Sequence, residues 1–275
     1  MCQPDLYYVV GDPVTHSLSP TIHLLFAEQC HQQIRYQKKQ VLAGTFSMAL
    51  AQSKAQGVKG LNVTLPLKHE AFQCADITSN AAEQAQAVSY LHVRDDGTVY
   101  GDNLDGMGMI WAMQRRHEIT LAGKQILIAG AGGAVQGVLG AVLQQQPRQV
   151  VIANRTVKKA IDLARRFQSY GSVVACGYSE INHVFDIVIN GTSASINQQV
   201  PPIPTMALHK NSFCYDMMYN LKQDTAFIAW AKRQGCQHVA DGIGMLVEQN
   251  AEIFKIWRGI EPETNAVYQK LGVKP

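Results

Sequence analysis

Short unbroken apolar runs recur along this chain, separated by segments whose apolar residues return at helical spacing. Leu6-Tyr7-Tyr8-Val9-Val10 has the length and composition of a buried strand. Ser19-Pro20 predicts a helix start, with Ser19 as N-cap and proline at the first helical position, and Ile22, Leu25 and Phe26 then share a face. Arg35 to Val41 reads as a second strand, Phe46 to Ala55 as a helix and Gly60-Leu61-Asn62-Val63 as a third strand. Val88 to Val93 and Thr98 to Tyr100 flank Arg94-Asp95-Asp96-Gly97, the pattern of a hairpin. A helix is predicted from about Asp105 to His117.

The pattern then starts again. Gln125 to Ala129 and Gln149 to Ala153 predict strands, followed by strand candidates at Phe185 to Ile189 and Ser212 to Met217, with the block ending near Val239. From Gly244 the tail is helical, with Leu246, Ile253, Phe254 and Trp257 at helical spacing, and it is too short to stand alone. No repeat, low-complexity stretch or disordered linker intervenes. The fold class that follows is α/β in two blocks: an N-terminal α/β domain over 1–104 and a Rossmann-like doubly wound domain over 105–242. The helices of 243–275 are expected to return to the first domain.

A chain of 275 residues with 47% hydrophobic residues can fill two such cores. A net charge of +3 is too mild to predict nucleic acid or a membrane surface as partner. No apolar run approaches the roughly 18 residues of a membrane span, and Met1-Cys2-Gln3-Pro4-Asp5 lacks the basic and apolar regions of a signal peptide. The six cysteines, Cys2, Cys30, Cys74, Cys176, Cys214 and Cys236, form no C-x-x-C pair, and the nine histidines form no H-x-x-x-H pair. No metal is expected, and the cysteines read as small hydrophobes in a reducing cytoplasm.

The first chemical signal follows the strand at Gln125. Gly130-Ala131-Gly132-Gly133-Ala134 joins it to a helix-like segment, the arrangement by which glycines admit a pyrophosphate to a helix N-terminus. The third glycine of the G-x-G-x-x-G pattern is replaced by Val135, and such a turn by itself also fits a tight strand-to-helix link. The next strand decides the reading. It ends in Asn154-Arg155-Thr156, with Lys158 and Lys159 close behind, where an acid would grip a ribose 2′-hydroxyl. A guanidinium suits a 2′-phosphate instead, so the cofactor expected is NADP.

A hydride enzyme also needs a group that exchanges a proton. Pro66 suits a first helical turn, which puts Thr64 or Leu65 at a strand-to-helix switch and Lys68 in that turn. The helix N-terminus disfavours a cation there, so a Lys68 with a function is expected to be partly discharged or held by an acid; taken alone it reads as an ordinary solvated lysine. Asp105, in Gly101-Asp102-Asn103-Leu104-Asp105-Gly106, is the second candidate. Either Asp102 or Asp105 also fits the plain role of a helix cap.

Gly11-Asp12-Pro13-Val14-Thr15-His16-Ser17-Leu18-Ser19-Pro20, then Asn62 to Lys68, then Gly101 to Gly106, resemble the substrate motifs of shikimate dehydrogenases. The glycine turn, Asn154-Arg155-Thr156, Asn190-Gly191-Thr192-Ser193, Tyr215-Asp216-Met217-Met218-Tyr219 and Asp241 to Gln249 continue the resemblance in order. It implies a substrate domain, an NADP domain and an enzyme of aromatic amino-acid biosynthesis that interconverts shikimate and 3-dehydroshikimate. It further implies that Ser17 and Ser19 hold the substrate carboxylate with Tyr219 assisting, and that Asn62, Thr64, Asp105 and Gln249 meet ring hydroxyls. Lys68 and Asp105 become the catalytic pair, and Thr192, Met217 and Gly242 join the cofactor side. A cytoplasmic monomer or homodimer is expected.

This chain departs from the family pattern at particular positions. Ser89, at a substrate position, lacks the amide the family usually places there, and Leu104 stands where a threonine is usual. Ser195 replaces a common glycine, and Asn250 follows Gln249 where a small residue is usual. These changes leave room for a quinate-accepting enzyme or a paralogue of shifted substrate choice. A catalytically weak, regulatory NADP-binding module is the alternative of another kind; retention of Lys68 and Asp105 argues against it.

Overall fold

The computed structural model describes residues 3–273, so Met1 and Cys2 of the N-terminal reading lie outside the described residues. Two compact units divide the chain, Met1–Gly108 with Leu246–Pro275 and Met109–Met245, and the divisions fall inside helices. Among the described residues no helix is long and apolar enough to cross a membrane.

The first unit contains β1 (Asp5–Gly11), α1 (Ser19–Gln29), β2 (Ile34–Gln40), α2 (Phe46–Ala55), β3 (Val58–Val63) and α3 (Lys68–Cys74). After these come β4 (Ile77–Thr78), α4 (Asn80–Ala85), β5 (Tyr90–Val93), β6 (Val99–Asp102) and the start of α5 (Asp105–His117). Its sheet runs β2-β1-β3-β5-β6-β4. β1 is parallel to β2 and β3, whereas β5 is antiparallel to both β3 and β6. Alternation along β1 and β3 sorts the two faces. Leu6, Tyr8, Val10, Leu61 and Val63 meet Phe46 and Leu50 of α2 and Leu67 and Ala71 beside and on α3. Tyr7 and Val9 point the other way, to Tyr36 and Trp257.

That second face is where the tail returns. Ile22 and Phe26 of α1 pack with Val247 and Phe254 of a long late helix and with Val267 and Tyr268 near the C-terminus. Each such fully buried side chain contributes about 1.5–3 kcal/mol, which holds a tail with no sheet of its own. Gly60 permits the closest approach: a Cβ there would collide with the Trp257 ring.

The second unit contains β7 (Gln125–Ala129), α6 (Gly133–Gln144), β8 (Gln149–Ala153), α7 (Val157–Phe167), β9 (Val173–Cys176), β10 (Ile187–Asn190) and β11 (Phe213–Asp216). They are followed by α8 (Ala226–Arg233), β12 (His238–Asp241) and the first residues of α9 (Ile243–Arg258), whose remainder from Leu246 lies in the first unit with α10 (Thr264–Lys270). Six parallel strands run in the order β12-β11-β10-β7-β8-β9, with the direction of winding reversing between β7 and β10. Both faces are covered, so β7 is apolar on both sides: Ile126 and Ile128 enter one core, Leu127 and Ala129 the other.

Two local expectations are corrected. Ser19 is the first helical residue and Leu18 the N-cap; the Ser17 hydroxyl accepts the Ser19 N–H at 3.3 Å, so Ser17 supplies the capping oxygen from outside the helix. Pro66 precedes α3 in a cis peptide bond and is not in the helix, whose N-cap is Leu67. Lys68 does lie in the first turn.

Candidate active site

The register of the first sheet explains how distant motifs meet. Val9 pairs with Asn62, Asn62 with Tyr90 and Tyr90 with Asp102, forming one row across four strands. The segments that leave this row carry Thr64 and Lys68 after β3, Ser89 just before β5 and Asp105 just after β6. Backbone bonds tie them together: Val63 N–H donates to Ser89 C=O at 2.8 Å, Ser89 N–H to Asp102 C=O at 2.8 Å, and Val88 N–H to Lys68 C=O at 3.0 Å.

Lys68 and Asp105 form a hydrogen-bonded ion pair, with their side chains only 22% and 6% exposed. The lysine stands at the N-terminal end of α3, where the helix dipole opposes a cation, and the carboxylate answers it. Asp105 opens α5, where the same dipole favours an acid. Its own N–H donates to Asn103 Oδ1 at 3.1 Å, so Asn103 performs the capping considered for Asp102 or Asp105. Asp102 instead accepts from Ser79 and from the Asn103 N–H at 2.6 Å. Asp105 is thereby free of the capping role and holds the lysine.

The remaining substrate candidates of this unit have distinct surroundings. Thr64 is half-buried, and its N–H donates to Val10 C=O at 2.9 Å. Ser17 is half-buried and Ser19 buried. Ser89 is buried, and its hydroxyl accepts the Leu104 N–H at 2.8 Å, which couples the two departures from the family pattern. Gln249 Oε1 is buried without a hydrogen-bond partner, an acceptor suited to a ligand hydroxyl. Asn62 is buried and held by Tyr36 and Asn250.

The second unit has an equivalent row. Ala129 pairs with Ala153 and with Asn190, Asn190 with Asp216, and Asp216 with Asp241. Every cofactor candidate follows one of these residues closely: Gly130 to Ala134, Asn154 to Lys159, Thr192, Met217 and Gly242. Gly130 has a φ of +107°, and its N–H donates to Ala153 C=O at 2.8 Å. No side chain caps α6, and a Cβ added at Gly132 or Gly133 would meet nothing within 4 Å. This open cradle at a helix N-terminus, where the winding reverses, fits a pyrophosphate. Arg155, Lys158 and Lys159 lie beyond β8, with Lys158 paired to Asp162 at 3.1 Å. Asn154 Nδ2 donates to Thr156 C=O at 2.9 Å and shapes that tip. Together these residues fit a nucleotide carrying a 2′-phosphate.

Val135, the missing third glycine, is fully buried. The glycine that makes room is Gly191, where a Cβ would collide with Val135 Cγ2. Gly242 is equally constrained, since a Cβ there would collide with the Met217 carbonyl. Tyr219 is half-buried in this unit, not in the one holding Ser17 and Ser19, and burial raises its hydroxyl pKa.

Sequence reasoning missed the residue that organises these loops. Asp216, fully buried, accepts from Ser195 Oγ at 2.7 Å, Thr225 Oγ1 at 2.6 Å, Asn190 Nδ2 at 3.0 Å and Met218 N–H at 3.1 Å. Burial raises its pKa, and these bonds to the carboxylate pull it back. Asn190 in turn accepts from the N–H and hydroxyl of Thr192 at 3.0 and 2.7 Å. A polar pair ending two adjacent parallel strands was the available signal. Ser195, in the place of a glycine, is one of the four donors.

Comparison with known proteins agrees with both halves. The sequence profile described as the shikimate dehydrogenase substrate binding domain matches residues 9–91, and the one described as shikimate / quinate 5-dehydrogenase matches residues 112–200. A shikimate dehydrogenase (NADP(+)) of Cellvibrio japonicus is 48% identical over 268 residues, covering 97% of this chain and 96% of its own. The chain belongs to the shikimate dehydrogenase family. An Ael1 enzyme from Pseudomonas putida has a crystal structure similar to this one, with a TM-score of 0.90, 38% identity and coverage of 98% and 99%. The shikimate 5-dehydrogenase of Thermus thermophilus, solved in complex with NADP(H) and shikimate, gives a TM-score of 0.87 at 27% identity, covering 98% of each chain.

Proposed function

We propose that this chain is an NADP-dependent shikimate dehydrogenase that interconverts shikimate and 3-dehydroshikimate in the cytoplasm, as a monomer or homodimer, in support of aromatic amino-acid synthesis. The observation that carries the reading is the Lys68–Asp105 pair, largely withdrawn from solvent and shared between the first turns of two helices. Gln249 Oε1, a buried acceptor awaiting a donor in the same unit, supports a polyhydroxylated substrate.

NADP, when bound, supplies the chemistry of hydride acceptance and donation at the ring carbon. The chain manages the proton. In the reducing direction Lys68 Nζ donates a proton to the substrate carbonyl oxygen as that oxygen gains charge, and Asp105 holds the amine in place afterwards. In the oxidising direction Lys68 first releases its proton to solvent; the hydroxyl proton then passes to the neutral amine, and the Asp105 carboxylate stabilises the ammonium that forms. Ser17 and Ser19 offer hydroxyl donors to the substrate carboxylate, with Tyr219 as a third. Asn62, Thr64, Asp105 and Gln249 fix the ring through its hydroxyls, while Ser89 acts on the loop carrying Asp105. Gly130 to Ala134 would hold the pyrophosphate through the backbone, and Arg155, with Lys158 and Lys159, the 2′-phosphate. Thr192, Met217 and Gly242 complete the cofactor side.

The test is NADP reduction by the purified protein with shikimate, with quinate and with neither. Activity with shikimate well above that with quinate is expected. Preference for quinate would assign the chain to the shifted-substrate reading, and no turnover with either would support a regulatory module.

A further inference from the structure

Behind Asn62 lies a buried polar chain that the reaction does not require and that this family member has extended. Asn250 Nδ2 donates to Leu246 C=O at 2.7 Å, a bond that fixes its amide because a carbonyl can only accept. Its Oδ1 therefore faces two donors. His23 Nε2 lies 2.9 Å away and Asn62 Nδ2 lies 3.1 Å away. The histidine proton is accordingly on Nε2, and His23 Nδ1 is buried without a partner. Asn62, with its Nδ2 turned to Asn250, accepts the Tyr36 hydroxyl on Oδ1. His23 and Asn250 are fully buried, and Tyr36 and Asn62 are each 6% exposed.

The chain of constraint ends at a substrate candidate. An unrestrained asparagine amide can present either its oxygen or its NH2 to a ligand, and the two ends differ little in shape. Here Leu246 sets Asn250 and Asn250 sets Asn62, while the Tyr36 hydroxyl, able to donate or accept, donates to the Asn62 oxygen so oriented and holds it there. One N–H of Asn62 is committed to Asn250, which leaves the second as the donor on offer. His23 cannot compete for the role of acceptor, because its one unpartnered nitrogen is the other one. Its ring lies against both Tyr36, with centroids 4.7 Å apart, and Trp257, at 5.2 Å, which fixes its position.

We infer that Asn250, together with Tyr36, is a positioning residue for substrate recognition: it locks the Asn62 amide so that a substrate hydroxyl meets an N–H donor. The inference rests on the shikimate dehydrogenase reading and adds a residue that the family pattern replaces with a small one. Asn250 touches no substrate atom in this account. It acts through Asn62 alone, so its loss acts on binding and not on the chemical step.

The experiment is steady-state kinetics of Asn250→Ala, Tyr36→Phe, Asn62→Ala and the doubles that combine each of the first two with Asn62→Ala. Asn250→Ala places the small residue common in the family, and Tyr36→Phe keeps the ring, so the second variant carries the test should the first be poorly folded. Each is expected to raise the KM for shikimate about tenfold, the worth of one misdirected hydrogen bond, with kcat changed less than about threefold and the KM for NADP unaltered. Because both act through Asn62, each double should show the KM of Asn62→Ala alone. Additive effects, or parallel losses in kcat and NADP affinity, would overturn the inference in favour of plain packing. An active wild-type enzyme with an unchanged KM in both single variants would overturn it too. An inactive wild-type enzyme would instead overturn the functional reading on which it rests.

Discussion

At the residue scale, the proposed cofactor preference is assigned to one cation. Arg155 stands two residues beyond the end of β8, in the region where an acid would select an unphosphorylated ribose. A charge-assisted hydrogen bond is worth roughly 1.5–3 kcal/mol, which corresponds to about a tenfold to hundredfold change in affinity. Arg155→Ala should therefore raise the KM for NADP by that factor and leave the KM for NAD nearly unaltered. Equal losses with both cofactors would show that Arg155 serves the shape of the loop and not phosphate recognition. Arg155 could be proposed from sequence because the role assigned to it needs only a strand end and a charge, and the strand does end at Ala153 as the pattern predicts. The pairing of Lys68 with Asp105 was legible only through the family pattern, since 37 residues separate the two and spacing along the chain says nothing of their contact.

At the scale of elements, periodicity read most directly where a segment is long or buried on all sides. Phe46 to Ala55, Asp105 to His117, Gln125 to Ala129 and Gln149 to Ala153 have the bounds the pattern predicts. β4 and α4 escaped notice because a strand of two residues and a helix of six leave no periodic trace. α7 escaped for a different reason. Ala160, Leu163, Ala164 and Phe167 bury one face at i, i+3, i+4 and i+7, a signal present in the sequence but masked by the lysines and arginines between them. Side-chain hubs were the least legible. Asp216 looks like any acid at a strand end, and only the folded register shows that it gathers the loops bearing Thr192, Met217 and Tyr219. Val135 was a flaw in the glycine pattern, yet Gly191, distant in sequence, supplies the missing space.

At the scale of the molecule, buried titratable groups make stability depend on pH. Burial lowers the pKa of His23 from 6.5 to about 3, because the imidazolium would lose its hydration among Tyr36, Phe26, Phe254 and Trp257. Well above pH 6.5 both folded and unfolded chains hold a neutral imidazole. Below it the unfolded chain takes up a proton that the native state refuses, so stability falls as the pH drops, by at most about 1.4 kcal/mol per unit. Asp216 and Asp241, whose pKa values burial raises, act in the opposite sense, since the native state then binds the proton first. Urea unfolding of the wild type beside His23→Gln separates these contributions. The stability difference should be level from about pH 7 to 8 and move against the wild type between about pH 6.5 and 4.5. A difference that stays constant over that range would place the histidine in a hydrated or paired setting.

The central claim joins these scales: a lysine at one helix start, held by an acid at another, exchanges the proton of a carbinol. Lys68→Met keeps much of the apolar stem and deletes the amine. The measurement that tests the claim is the turnover of this variant in shikimate oxidation, with the KM for shikimate taken from the same curves. The expected result is a kcat lower by about 10² to 10⁴, the usual worth of a positioned acid–base group, with KM changed much less. Unchanged kcat with a strongly raised KM would contradict it: Lys68 would then be a binding residue, and the proton would require another acceptor.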